Sequence, residues 1–185
     1  MRPPDERRRR FDELYAANND PVLAYVVRRT TNGHDAADVF AEIFLIVWRR
    51  LEDVPPGDRA RPWLFGIARR VLANHHRGER RRTALTARLS TELSDVHHDR
   101  DDTTDMSAIA EAFEKLPERY REVLSLSDWE GLNAGEIAGV LGCSLNAVRI
   151  RLYRARRHLA RALESRSAPV EQRATRVRVE EGDPA

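Results

Sequence analysis

Apolar side chains recur at intervals of three and four through both halves of this chain, and the recurrence lapses in a charged stretch around the middle and again near the end. Leu64, Ile67, Ala68, Val71 and Leu72 stand at i, i+3, i+4, i+7 and i+8, which puts them on one stripe of an α-helix. Leu145, Val148, Leu152, Ala155, Leu159 and Leu163 fall on one arc in the same way. No segment keeps up the alternation of a half-buried strand, so the fold class expected is all-α. Between the two helical halves, residues 78–107 are polar, charged and poor in large apolar groups. This pattern predicts two small helical domains, 11–77 and 108–164, joined by a flexible acidic linker at 78–107. A disordered tail is expected over 165–185, where no periodic apolar face is seen.

Breaks and caps divide the halves further. Residues 1–10 are Arg-rich and expected to fray. A helix is expected from Phe11, Pro21 can open a second, and Thr30 to Gly33 end it. Asp35 and Asp38 then stand in the first turns of DVFAEIFLIVWRRL, where carboxylates suit the helix dipole. Pro55, Pro56 and Gly57 interrupt the chain before a helix starting near Pro62. In the second half, Pro117 opens a helix, Asn133 to Gly142 make another, and a long one follows Ser144.

Net charge is only +2, but it is unevenly spread. Residues 1–90 carry 18 basic and 12 acidic side chains, 91–115 carry 2 and 8, and 116–164 carry 8 and 6. Two basic lobes around an acidic connector suggest two polyanion-binding modules held apart. The basic start is followed by no apolar stretch, and the apolar run Ile43 to Trp48 is far too short to span a bilayer. A single cysteine, Cys143, leaves no internal disulfide framework. A cytoplasmic protein with no membrane insertion is expected.

Residues 134–153 meet the demands of a helix-turn-helix. Ala138 is small where two helix backbones approach, Gly142 tolerates positive φ in the turn, and Val148 plugs the gap from the second helix. Ile137 and Leu141 supply the first helix's buried face, and Ser144 is a good N-cap for the second. Opposite the buried arc of that second helix lie Asn146, Arg149, Ile150, Tyr153, Arg154 and Arg157. From 145 to 162 there are six arginines and no acid. A solvated face is the bland reading, but like charges with no acidic i±4 partner repel, and a phosphate backbone relieves them. Residues early in a recognition helix reach base edges. Asn146, Arg149 and Ile150 are the candidates there, with Ser144 and Ala147 beside them, while Arg151, Arg154 and Arg157 hold phosphates.

The stretch DAADVFAEIFLIVWRRL, followed after a break by RPWLFGIARRVLANHHR, resembles the second conserved region of bacterial sigma factors. LPERYREVLSLSDWEGLNAGEIAGVLGCSLNAVRIRLYRAR resembles their fourth. The order of the two blocks, the acidic linker and the lack of a large third region are similar to the extracytoplasmic-function group of the sigma-70 family. The resemblance implies that Asp38, Glu42, Ile43, Leu45 and Ile46 bind the clamp helices of core RNA polymerase. It also implies that Trp63, Arg69, Arg70, Asn74, His75 and Arg77 open and read the −10 element, with Arg80 to Arg82 adding basic surface. The helix-turn-helix would then read the −35 duplex, and the helix from Leu116 to Leu126 would dock on the polymerase flap. An anti-sigma protein covering the polymerase-binding faces is a further partner implied. Arg70, Asn74, Ala41 and the run Ala147-Val148-Arg149-Ile150 depart from the family's usual residues, which bears on promoter sequence rather than on class.

Two other functions compete. A polymerase-independent regulator could share the helix-turn-helix, but it leaves residues 35–77 unexplained. An enzyme could use the six histidines, yet the close pairs are adjacent residues, which project about 100° apart on a helix. No HExxH, GxSxG or phosphate loop occurs. No catalytic residue, metal site or cofactor is therefore expected.

Overall fold

The computed structural model describes the backbone of residues 4–89 and 105–180, and side chains within 5–83 and 108–164. Among the described residues every regular element is helical, as expected. The chain divides into two compact units, residues 1–96 with 132–143 and residues 97–131 with 144–185.

In the first unit, α1 (Pro4–Val27), α2 (Gly33–Arg49) and α3 (Ala60–Leu89) pack against one another. Their shared core holds Val22, Tyr25 and Val26 from α1, Val39, Ile43 and Val47 from α2, and Leu64, Phe65, Ile67, Ala68, Val71 and Leu72 from α3. The stripe read from the sequence in α3 is thus buried in full. Tyr25 meets Phe65 edge-on at 5.2 Å. A second aromatic group forms where Phe11 and Tyr15 of α1 meet Phe40, Phe44 and Trp48 of α2, with ring centroids 4.8–6.3 Å apart. Asn32 caps α2 by accepting from the Asp35 N–H at 2.8 Å. The Pro55-Pro56-Gly57 break holds two short 3₁₀ turns, Leu51–Asp53 and Gly57–Arg59.

Three sequence expectations change here. Residues 4–10 are helical rather than frayed, because Arg7 donates to the Trp48 carbonyl at 2.9 Å and Arg10 to that of Val54 at 3.0 Å. Arg7 also lies 4.9 Å from the Trp48 ring centre. Pro21 opens no separate helix but sits inside α1. A proline removes one N–H and crowds one carbonyl of the preceding turn, and here the buried Val22, Tyr25 and Val26 hold the helix together past it. Third, α3 continues past 77 to Leu89, and α7 continues past 165 to Glu180, where linker and disordered tail were expected. Arg, Ala, Leu and Glu make up most of residues 78–89, and these are good helix formers. Residues 90–104 of the expected linker, and 181–185 of the expected tail, lie outside the described residues.

In the second unit, α4 (Asp105–Glu114) and α5 (Glu118–Leu124) pack on α7 (Leu145–Glu180). Its core includes Ala112, Leu116, Tyr120, Val123, Leu124, Leu126, Val148, Leu152 and Ala155. Pro117 precedes α5, as read from the sequence. The turn Ser125–Trp129 widens to π-helical hydrogen bonding, with Glu130 N–H donating to the Ser125 carbonyl at 3.1 Å.

The remaining helix, α6 (Ala134–Leu141), is fixed by its own ends. Asn133 accepts from the N–H groups of Gly135 and Glu136, and the Glu136 carboxylate accepts from the Asn133 N–H, a complete capping box. Gly142 ends α6 at φ 63°, the left-handed turn conformation its position demanded. Ile137 and Val140 are buried. Leu141, expected in that face, is half-buried.

Candidate nucleic-acid interface

The start of α7 is set by Ser144, whose Oγ accepts from the Ala147 N–H at 3.2 Å. Only Gly142, Cys143 and Ser144 separate α6 from α7. Along α7, Val148 and Ala155 are fully buried and Leu152 nearly so. Leu159 and Leu163 are half-buried. Leu145, expected on the buried arc, is 40% exposed. The helical wheel gives a side chain's direction, but in the first turn that direction does not guarantee depth.

Asn146, Arg149, Ile150, Tyr153, Arg154 and Arg157 are all exposed, as expected. Ala147 is half-buried, and so is Arg151, which is engaged within the protein. Arg156 stands apart from the other arginines. It pairs with Asp128 at 3.2 Å and reaches the Ser127 hydroxyl at 3.4 Å, so it braces the π-turn. Further along, Tyr120, Tyr153, Arg154, Arg157, His158 and Arg161 line a cleft of about 510 Å³, with Tyr120 stacked on His158 at 5.1 Å. A groove with guanidinium walls and aromatic edges suits a phosphodiester backbone. Tyr120, His158 and Arg161 were missed at the sequence level because their part in the cleft depends on how α5 packs against α7.

On α3, Trp63, Arg70, Asn74 and Arg77 stand 7, 4 and 3 residues apart, so they share one helix face. Asn74 and Arg77 are exposed and bonded to each other, and Arg70 donates to the Gly66 carbonyl at 2.9 Å. Trp63 is half-buried with Arg50 5.8 Å from its ring centre. Arg69 is half-buried off this face and has partners of its own. His75 also departs from it. Its side chain is 18% exposed and sits between Asp35 and Glu79, each 3.6 Å from one ring nitrogen.

On α2, Asp38, Glu42 and Leu45 are exposed and Ile46 is half-buried. Ile43 must leave the expected polymerase-binding set, because it is fully buried in the α1–α2–α3 core and has no surface to offer. Asp38 also pairs with His34 at 3.3 Å. In the helix expected to dock on the flap, Leu116, Tyr120, Val123, Leu124 and Leu126 are buried. Lys115, Pro117, Glu118 and Arg119 are left exposed.

Each of the two helical units carries an exposed basic face with an aromatic group beside it. Residues 14–82 match Sigma-70 region 2, and residues 106–159 match Sigma-70, region 4. The chain is 30% identical over 156 residues to the ECF RNA polymerase sigma factor SigL of Mycobacterium tuberculosis, covering 82% of this chain and 87% of that one. It is 30% identical over 145 residues to the RNA polymerase sigma factor CarQ of Myxococcus xanthus, covering 78% and 83%. Against the ECF RNA polymerase sigma factor SigE of Mycolicibacterium smegmatis it is 32% identical over 172 residues, which is 89% of this chain but 65% of that one. The chain belongs to the extracytoplasmic-function RNA polymerase sigma factors.

Two solved structures are similar in fold. The sigma factor RpoE of Bartonella quintana, in complex with the anti-sigma factor NepR, matches with a TM-score of 0.65 at 20% identity, over 83% of this chain and 96% of that one. CnrH, in complex with the cytosolic domain of CnrY, matches with a TM-score of 0.61 at 28% identity, over 84% and 88%. Among the described residues, no helix is long and apolar enough to cross a membrane.

Proposed function

We propose that this chain binds core RNA polymerase in the cytoplasm and directs initiation at a defined promoter set, with no catalytic chemistry of its own. In this reading the helix-turn-helix segment 134–153 reads the −35 duplex. Arg149, Asn146 and Ile150 meet base edges, and Arg154 and Arg157 hold phosphates. The α3 face of Trp63, Arg70, Asn74 and Arg77 takes the −10 element, where melted bases stack on aromatic groups. Asp38, Glu42, Leu45 and Ile46 offer the polymerase an acidic and apolar surface on α2. The observation that carries the reading is the arginine face of α7, exposed and without an acid from 145 to 162.

An anti-sigma partner belongs to the same reading. RpoE is bound to the anti-sigma factor NepR, and CnrH to the cytosolic domain of CnrY. A partner of that kind would cover the polymerase-binding faces of this chain.

Run-off transcription with purified core polymerase and a promoter library tests the proposal. Core polymerase should capture the chain and start RNA at sites that share one −35 and one −10 sequence. A chain that binds promoter duplex tightly by itself, and gives no initiation with core polymerase, is instead a polymerase-independent regulator.

A further inference from the structure

The side of α3 turned away from the Trp63–Arg77 face carries a cluster that promoter binding does not use. His75, His76 and Glu79 each offer one donor atom within 4.8 Å of the other two. Glu79 is four residues from His75 and three from His76, the two spacings at which helix side chains meet. The sequence-level objection, that adjacent histidines diverge, therefore fails here, because both rings converge on a third residue one turn ahead. All three side chains are half-buried. They lie on the same flank as the buried Leu72, toward the ends of α1 and α2.

The surroundings of the two rings prepare them as ligands. His76 Nε2 lies 2.8 Å from the Arg29 carbonyl oxygen, just beyond α1. A carbonyl only accepts, so Nε2 carries the proton and Nδ1 keeps its lone pair. His75 Nε2 faces the Asp35 carboxylate at 3.6 Å, while Nδ1 is buried without a hydrogen-bond partner, 3.6 Å from the Glu79 carboxylate. A carboxylate or carbonyl behind a ligating imidazole is the arrangement that fixes its tautomer and raises its basicity in metal sites. Here both histidines have one.

We infer that His75, His76 and Glu79 form a binding site for a borderline divalent transition ion of the Zn²⁺, Co²⁺ or Ni²⁺ class, with Asp35 and the Arg29 carbonyl positioning the two imidazoles. Two nitrogens and one carboxylate oxygen are the donor set these ions accept, with a fourth position left open. Ligands about 2.0–2.2 Å from a tetrahedral ion stand roughly 3.4 Å apart. Side-chain rotation over little more than 1 Å therefore closes the site without moving the backbone. Binding would tie the start of α2 and the turn after α1 to α3, and so raise the stability of the folded first unit through ligand linkage.

The test is titration of the full chain with Zn²⁺, followed by calorimetry and thermal unfolding, and with Co²⁺, followed by visible absorption. The expected result is one saturable equivalent, a rise in Tm, and a Co²⁺ spectrum without a thiolate charge-transfer band. His75→Ala and Glu79→Gln should each weaken Zn²⁺ binding by tenfold or more. Asp35→Asn, which touches no ion, should weaken it by about 10–100-fold. A double variant of His97 and His98 to Ala, and Cys143→Ser, should leave it unchanged. Should His75→Ala fail to fold, His76→Gln and Glu79→Gln carry the test. No saturable binding to the folded chain overturns the assignment, and so does binding that survives Glu79→Gln but disappears with His97 and His98.

Discussion

Arg149 and Arg154 are both exposed on α7, yet they should behave differently when removed. Arg149 lies one turn into the helix, where a guanidinium can bind a guanine edge through two parallel hydrogen bonds, worth about 1–3 kcal/mol of discrimination. Arg154 lies further along α7 and lines the arginine-walled cleft. Arg149→Ala should relax selection at one −35 position, and Arg154→Ala should weaken all promoters about equally; selection of a promoter library with each holoenzyme separates the two. Equal loss on every promoter for both would reject the assignment. Gly142 is the other residue whose role is sharp. At φ 63° any Cβ is strained, so Gly142→Val should cost about 1–2 kcal/mol in urea unfolding. Gly142 was legible from the sequence because its place in the turn follows from spacing alone. Ile43 and His75 were not. The family resemblance placed Ile43 on a binding helix without saying which side of that helix faces the core. His75 was drawn into the −10 set as part of a basic run, although its neighbours Asp35 and Glu79 come from another helix and the next turn.

At the scale of elements, α1 shows what periodicity leaves out. Its N-terminal turns carry no apolar stripe, so the Arg-rich start read as frayed. The structure anchors it by guanidinium donors instead: Arg7 bonds the Trp48 carbonyl and lies over the Trp48 ring, and Arg10 bonds the Val54 carbonyl. A hydrogen bond to a charged group contributes about 1.5–3 kcal/mol. Arg7→Ala should destabilise the first unit by about that much and raise amide exchange through residues 4–10, whereas Arg8→Ala, at an exposed position, should do neither. Equal, small effects from both substitutions would show that the anchor is not made in solution. The buried stripe of α3 and the start of α7 were legible, since apolar spacing and Ser144 are local signals. The π-turn at Ser125–Trp129 was not, because it answers to packing and to the Arg156–Asp128 pair across the unit.

For the whole molecule, the division of charge into two basic lobes makes a prediction that neither lobe makes alone. Each phosphate neutralised on B-form duplex lowers the slope of log K against log salt by about 0.9, and each on a single strand by about 0.7. Arg154 and Arg157 are assigned to duplex, whereas Arg70 and Arg77 are assigned to the melted −10 strand. The holoenzyme carrying Arg154→Ala and Arg157→Ala should therefore bind a −35 duplex fragment with a slope flatter by about 1.8 and bind a single-stranded −10 oligonucleotide unchanged. Arg70→Ala with Arg77→Ala should do the reverse, flattening the −10 slope by about 1.4 and leaving the duplex slope alone. Arg156→Ala is the internal control, because its guanidinium is already held by Asp128 and it should alter neither slope. If the two pairs flatten both slopes alike, the lobes share one continuous electrostatic surface, and the separation of −35 and −10 recognition between α7 and α3 is wrong.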